Sequence, residues 1–138
     1  MPKNTAFMLL LLGLPWLSQA EETTQQSCGA VSVSMKPPAT RDLFDASIAQ
    51  VDGNNIIERP IVRVAPGKHT FKVYEHIEDP RLAVGPNARG RGKLIEIEVE
   101  ANMRYHIAAK FVPEQRFTNF TRYWEPVVWK TSVSECTP

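Results

Sequence analysis

The chain has 138 residues, 43% of them hydrophobic and 22% charged, with a formal net charge of +1. That is material for one domain rather than two. A charge so near zero provides no global field to gather nucleic acid or anionic lipid, so any electrostatic partner has to be met by a local patch.

Lys3 is the only charge in the first twenty residues, and Ala6 to Leu17 is an apolar run interrupted by Gly13 and Pro15. Ser18 and Ala20 are small residues placed three before and just before a cut, and Glu21-Glu22 follow. A basic start, an apolar middle and a small-x-small exit read as a secretory signal peptide over residues 1–20. The run is shorter than the roughly 20 apolar residues that a bilayer span needs; an uncleaved anchor is the alternative. No later stretch reads as a membrane span, and Cys28 is not preceded by a lipoprotein box. Cleavage would leave 138 − 20 = 118 residues with 15 basic and 15 acidic side chains. The expected location is periplasmic or secreted.

Cys28 and Cys136 lie near the two ends of that mature chain. In an exported protein an even pair reads as a disulfide. Two lone cysteines without a neighbouring Cys or His make a poor metal site.

Residues 21–27 are polar and are expected to be a mobile lead-in to a single domain over residues 28–138. Val31, Val33 and Met35 alternate with serines and predict a first strand, ended by Pro37-Pro38. Leu43 to Val51 predicts a second, although Asp42 to Gln50 can also be drawn as a helix. Asp52-Gly53-Asn54-Asn55 predicts a tight turn, with a return strand starting at Ile56-Ile57. Ile61 to Val64 and His69 to Glu75 predict a hairpin about Ala65-Pro66-Gly67-Lys68, pairing Val64 with His69 and Val62 with Phe71. Residues 76–92 form a long loop with three glycines, two prolines and three arginines, and loops of this length in a compact domain are usually functional or disordered. Lys93 to Glu100 and Met103 to Val112 predict a second hairpin, closed by Glu100-Ala101-Asn102, with Glu98 opposite Arg104 and Glu96 opposite His106. Pro113 to Thr121 reads as a loop, and Tyr123 to Val133 as a last strand with Pro126 at an edge. The fold class is therefore all-β, a small antiparallel β-sandwich of about seven strands.

The order of a strand into Val51-Asp52-Gly53, then Val64-Ala65-Pro66-Gly67-Lys68-His69-Thr70-Phe71-Lys72-Val73, then a glutamate-rich strand and Tyr105, resembles the PEGA-type β domains of bacterial envelope proteins. The resemblance covers about residues 44–111, without the Pro-Glu-Gly-Ala tetrapeptide and with an insertion at 76–92. It implies a sandwich-like, non-catalytic envelope module and supplies no catalytic residues.

Candidate chemistry is sparse. His69, His76 and His106 are not spaced as a zinc set, so no metal or cofactor is expected. Asp42, Asp45 and Asp52 share a segment as paired hydrolase carboxylates sometimes do, yet turn and alternation account for them. No serine sits in a Gly-x-Ser-x-Gly elbow. Arg81, Arg89, Arg91 and Lys93 form a basic cluster able to grip an acidic group. Phe117 and Phe120 are candidate binding aromatics, whereas Trp124 or Trp129 is expected in the core. Asn119-Phe120-Thr121 is a glycosylation sequon, relevant only in a eukaryotic secretory route. Together these features predict a non-catalytic exported binding or structural module that meets another envelope protein. A carbohydrate- or peptidoglycan-binding accessory domain is the alternative, with a small hydrolase behind both.

Overall fold

The computed structural model describes residues 27–83, 89–116 and 122–136. Residues 1–20, read as a signal peptide, residues 21–26 of the expected lead-in, and both Phe117 and Phe120 lie outside the described residues.

The architecture is all-β, and the described residues hold nine strands rather than about seven. They are β1 (Gly29–Ser32), β2 (Leu43–Phe44), β3 (Ala46–Val51), β4 (Asn54–Asn55), β5 (Ile61–Val64), β6 (Gly67–Glu75), β7 (Lys93–Val99), β8 (Met103–Phe111) and β9 (Trp124–Val133). One sheet contains β5, β1, β8 and β9, with β2 paired to the far end of β8; the other runs β4-β3-β6-β7. Among the described residues no helix is long and apolar enough to cross a membrane.

Alternation assigns most inward residues correctly, although Met35, expected on the first strand with Val31 and Val33, lies beyond β1 and is 38% exposed. Val31 and Val62, with Ile107, Ala109 and Phe111, point in from the first sheet. Ile48, Phe71 and Val73, with Ile97 and Val99, meet them from the second. Tyr123 and Trp124 complete this core, and both are buried. Residues 43–51 are strand, as expected, but they split at Asp45: β2 belongs to the first sheet and β3 to the second. Asp52 and Gly53 both take positive φ (51° and 85°), as a two-residue type I′ hairpin requires. The return strand is therefore Asn54–Asn55, paired with Val51 and Gln50, and does not begin at Ile56.

Both predicted long hairpins are corrected. β5 pairs with β1, whereas β6 pairs with β3 and β7, so Val62 and Phe71 face one another from opposite sheets. Likewise Glu96 and Glu98 of β7 lie opposite Thr70 and Lys68, while Arg104 and His106 of β8 lie opposite Ser132 and Lys130. The two short connections are corners from sheet to sheet. A Pro-Gly turn outside the primed types splays strands instead of following their twist. At Pro66-Gly67 that splay becomes a change of sheet, with Gly67 at φ 131°. The sheets are not wholly antiparallel either, because β1 runs parallel to β8.

The second corner is tied to both ends of the domain. Cys28 and Cys136 are joined across 108 positions of sequence. Asn102 sits in the left-handed region at φ 62°. Its N–H donates to Cys28 O at 2.8 Å, and its carbonyl accepts from Ser134 N–H at 2.9 Å. Its side-chain Oδ1 accepts from Cys136 N–H at 3.2 Å. Tyr105 Oη accepts the Glu100 N–H at 2.8 Å, so the corner's backbone is satisfied from within.

Closing a loop of this length restricts the unfolded chain by about 4–5 kcal/mol in the chain-entropy description. Cys28→Ser with Cys136→Ser is expected to lower the urea-unfolding free energy by most of that amount. An unchanged midpoint would show that Asn102 and the core hold the ends without the cystine.

Candidate functional site

The basic cluster folds down onto the domain. Glu75 continues the inward parity of Phe71 and Val73, which brings its carboxylate into the interior with 2% of its side chain exposed. Arg89 reaches it with two parallel bonds, Nε to Oε2 at 2.9 Å and Nη2 to Oε1 at 2.7 Å. Arg89 Nη2 also donates to Ile77 O at 2.8 Å. Ile77 N–H donates to Glu75 Oε1 at 2.7 Å, and the Tyr123 hydroxyl donates to Oε2. Burial raises the Glu75 pKa, but the bonds from Arg89, Tyr123 and the Ile77 amide outweigh it and the net shift is downward. Tyr123 moves the opposite way, upward, through burial first and the neighbouring carboxylate second. Every partner here stabilises a carboxylate that stays ionised.

Arg81 is held similarly on the surface. Its guanidinium meets Asp42 Oδ1 at 2.6 Å and Asp79 Oδ2 at 2.9 Å, and it lies over the Phe111 ring at 5.1 Å. The two carboxylates, Asp79 foremost, raise its pKa further. Lys93 donates to Trp124 O at 2.7 Å and stacks over that indole; burial lowers its pKa. Arg91 is exposed at the end of the segment. The structure thus gives Arg81 and Arg89 internal carboxylate partners, which the sequence analysis did not foresee. An acidic residue at an inward position of β6 was the available signal.

The two turn motifs also meet. Asp52 Oδ2 lies 2.6 Å from His69 Nδ1, and Asp52 Oδ1 accepts the Thr70 N–H at 2.8 Å. His69 Nε2 lies 2.7 Å from Ala65 O. Both ring nitrogens face acceptors, so the arrangement is satisfied by the imidazolium and leaves no ring nitrogen to accept a proton. The bond to Asp52 raises the His69 pKa, and the same bond is the first cause of the lowered Asp52 pKa. This is a clasp between the Asp-Gly hairpin and the Pro-Gly corner rather than an acid–base pair.

The other histidines are remote from it. His76 Nε2 is 3.0 Å from Ser47 Oγ on the surface. His106, placed on a wet face by the sequence, is 3% exposed. Its Nε2 is 3.0 Å from Ser132 Oγ, and its Nδ1 has no partner. Burial, then Arg104 and Lys130, lower its pKa, so this ring is neutral. The described residues hold no cluster of His, Cys, Asp or Glu able to bind a metal. Comparison with family descriptions, curated proteins and solved structures returns no match.

Of the two tryptophans one was expected in the core, and Trp124 is the one found there. Trp124 is buried, but Trp129 is half-buried at a bulge of β9 between Val128 and Lys130. Its ring lies 6.2 Å from that of His106, on the side of the sheet away from the core.

Two outcomes follow from these contacts. Arg89→Met leaves the Glu75 carboxylate buried without its cation, a loss of about 3–5 kcal/mol, measurable by urea unfolding. Glu75→Gln, which removes the charge as well, should cost less. If Arg89→Met unfolds at the wild-type midpoint, the pair does not anchor the 76–92 segment. The clasp gives a pH signature through linkage. His69 is raised, so its contribution is complete below about pH 6.5, its unfolded value, and is lost as pH rises through the folded value. Asp52 is lowered, so its contribution is complete above about pH 3.9 and is lost as pH falls through its folded value. The melting-temperature difference between wild type and His69→Gln should therefore be greatest between those limits. Parallel profiles from pH 3 to 9 would exclude the clasp.

Proposed function

We propose that this chain is a non-catalytic exported module of the bacterial cell envelope, a sandwich-like PEGA relative that works by binding another protein. The observation that carries the reading is the state of one sheet edge. Among the described residues β5 pairs only with β1. Its outer side borders a cleft of about 370 Å³ lined by Val51, Ile56, Ile61, Val62 and Val64, with Arg59 and Arg63 at the rim. Ile57, beside it, is 77% exposed. An open strand edge over apolar pockets is how an extended partner segment is bound: backbone hydrogen bonds supply affinity and alternate side chains supply specificity.

Two further features support the reading. A cystine joins the ends of the domain, as suits an oxidising compartment. The ionisable groups brought close together, Glu75 with Arg89 and Asp52 with His69, are bonded to one another in arrangements that hold the fold.

The test has two arms. In the producing bacterium the mature chain is expected to begin at Glu21, to lack free thiols and to occur in the envelope fraction. A photoreactive residue at Ile57 should give discrete adducts with an envelope protein in intact cells. A chain retaining Met1, with reduced cysteines in the cytosol, overturns export. Irradiation that gives no adduct overturns the binding edge.

A further inference from the structure

The outward face of the first sheet gathers charge that the interior does not compensate. Partners across a ladder share a face, and the rows can be read directly. Arg63, Ala30, Arg104 and Ser132 make one row. Ile61, Ser32, His106 and Lys130 make the next. Ala108 with Val127, then Leu43, Lys110 and Glu125, follow along β8. Arg63, Lys110 and Lys130 are exposed and Arg104 is half-buried. Glu125 is the carboxylate in these rows, yet no described carboxylate comes within ion-pair distance of any of the four cations. The opposite sheet differs: on its outward face Lys68 and Lys72 are balanced by Glu96 and Glu98, and Lys68 pairs with Glu96 at 3.9 Å.

A cleft of about 290 Å³ opens in the basic face beside Trp129. Leu43, Val127 and Val128 form its apolar wall with the indole, and Arg41 and Lys110 supply cations. Alongside, three nitrogens are buried without a protein hydrogen-bond partner: Trp129 Nε1, Arg104 Nε and His106 Nδ1. His106 is 3% exposed, so water at the open surface does not reach it. Indole and guanidinium nitrogens of this kind only donate. The face therefore combines an aromatic plate with cations contributed by three strands, Arg63 from β5, Arg104 and Lys110 from β8 and Lys130 from β9.

We propose that this face binds an acidic polysaccharide. A sugar ring stacks on the exposed part of the Trp129 indole. The acidic groups of successive sugars meet Lys110 and Arg41 at the cleft and Lys130, Arg104 and Arg63 beyond it. An acidic peptide has the charge but no sugar face for the indole. A single-stranded nucleic acid has a face to stack but would have to track its whole length over a chain of near-zero total charge. The inference rests on the exported-module reading but concerns the outward sheet face, which meets the β5 edge at Arg63.

The experiment titrates the purified mature chain, disulfide intact, with oligogalacturonate and follows calorimetric heat and tryptophan emission. The methyl-esterified oligomer supplies the same sugars without charge. Polyglutamate and an oligothymidylate supply charge on other backbones. Binding of oligogalacturonate is expected to weaken with salt, to shift the emission, and to fall at least tenfold in Lys110→Gln/Lys130→Gln. That double variant changes two exposed residues and should melt at the wild-type temperature. Trp129→Leu should lose a similar factor. Equal binding of the esterified oligomer, or tighter binding of polyglutamate or oligothymidylate, overturns the assignment. So does wild-type affinity in the double-lysine variant. Should oligogalacturonate fail while the Ile57 adducts persist, this surface falls and the envelope module stands. The reverse result removes the protein-binding edge and leaves the glycan face.

Discussion

Two short corners constrain everything else in this domain. At Pro66-Gly67 and at Glu100-Ala101-Asn102 the chain leaves one sheet and enters the other. The strands on either side of each corner, β5 with β6 and β7 with β8, are thereby stacked across the core instead of paired beside one another. Val62 against Phe71 and Val99 against Ile107 become contributions from opposite layers to one interior. Consecutive strands pair in β6 with β7 and β8 with β9, and other ladders join residues distant in sequence, such as β1 with β8 and β3 with β6. Such pairings close long loops and are slow to form, which makes a covalent tie between the ends useful. The second corner carries that tie, because Asn102 bonds to the main chain of both cysteine residues.

The distribution of charge follows from the same layering. Glu75 falls at an inward position of β6 and has to be neutralised there, and Arg89 comes from the far end of the 76–92 segment to do so. Asp42 and Asp79 take Arg81. The basic segment conspicuous in the sequence is thus largely an internal matter. Arg63, Arg104, Lys110 and Lys130, scattered over 68 positions and unremarkable in sequence, are brought by ladder register onto one face. A binding reading based on sequence clustering and one based on spatial clustering therefore select different surfaces.

Trp129 illustrates how such a surface arises. A strict alternation along β9 would have set it opposite a residue of β8. The bulge between Val128 and Lys130 leaves it unpaired, and its indole lies against His106 on the outward side. Bulges commonly redirect a side chain in this way. The same bulge leaves His106 covered and neutral among cations, although nothing in its local sequence marks it as buried.

What the sequence determined on its own was parity and punctuation. A period of two marks which residues of each strand share a face, and Asp52-Gly53 and Pro66-Gly67 mark where the chain must turn, since positive φ is cheap for few residues. Those signals are local, and they placed the inward residues and the extended backbone within 43–51; the cysteine pairing was read from their even number in a chain taken as exported. Only the tertiary structure decided whether a turn was a hairpin or a corner. Inward parity is identical in the two cases, so Glu96 facing His106 and Glu96 facing Thr70 satisfy the same alternation. Which cations were paired with a carboxylate, and which were left on the outward sheet face, depended on that choice, because the ladder partner of a residue lies in a strand that its own neighbours do not specify.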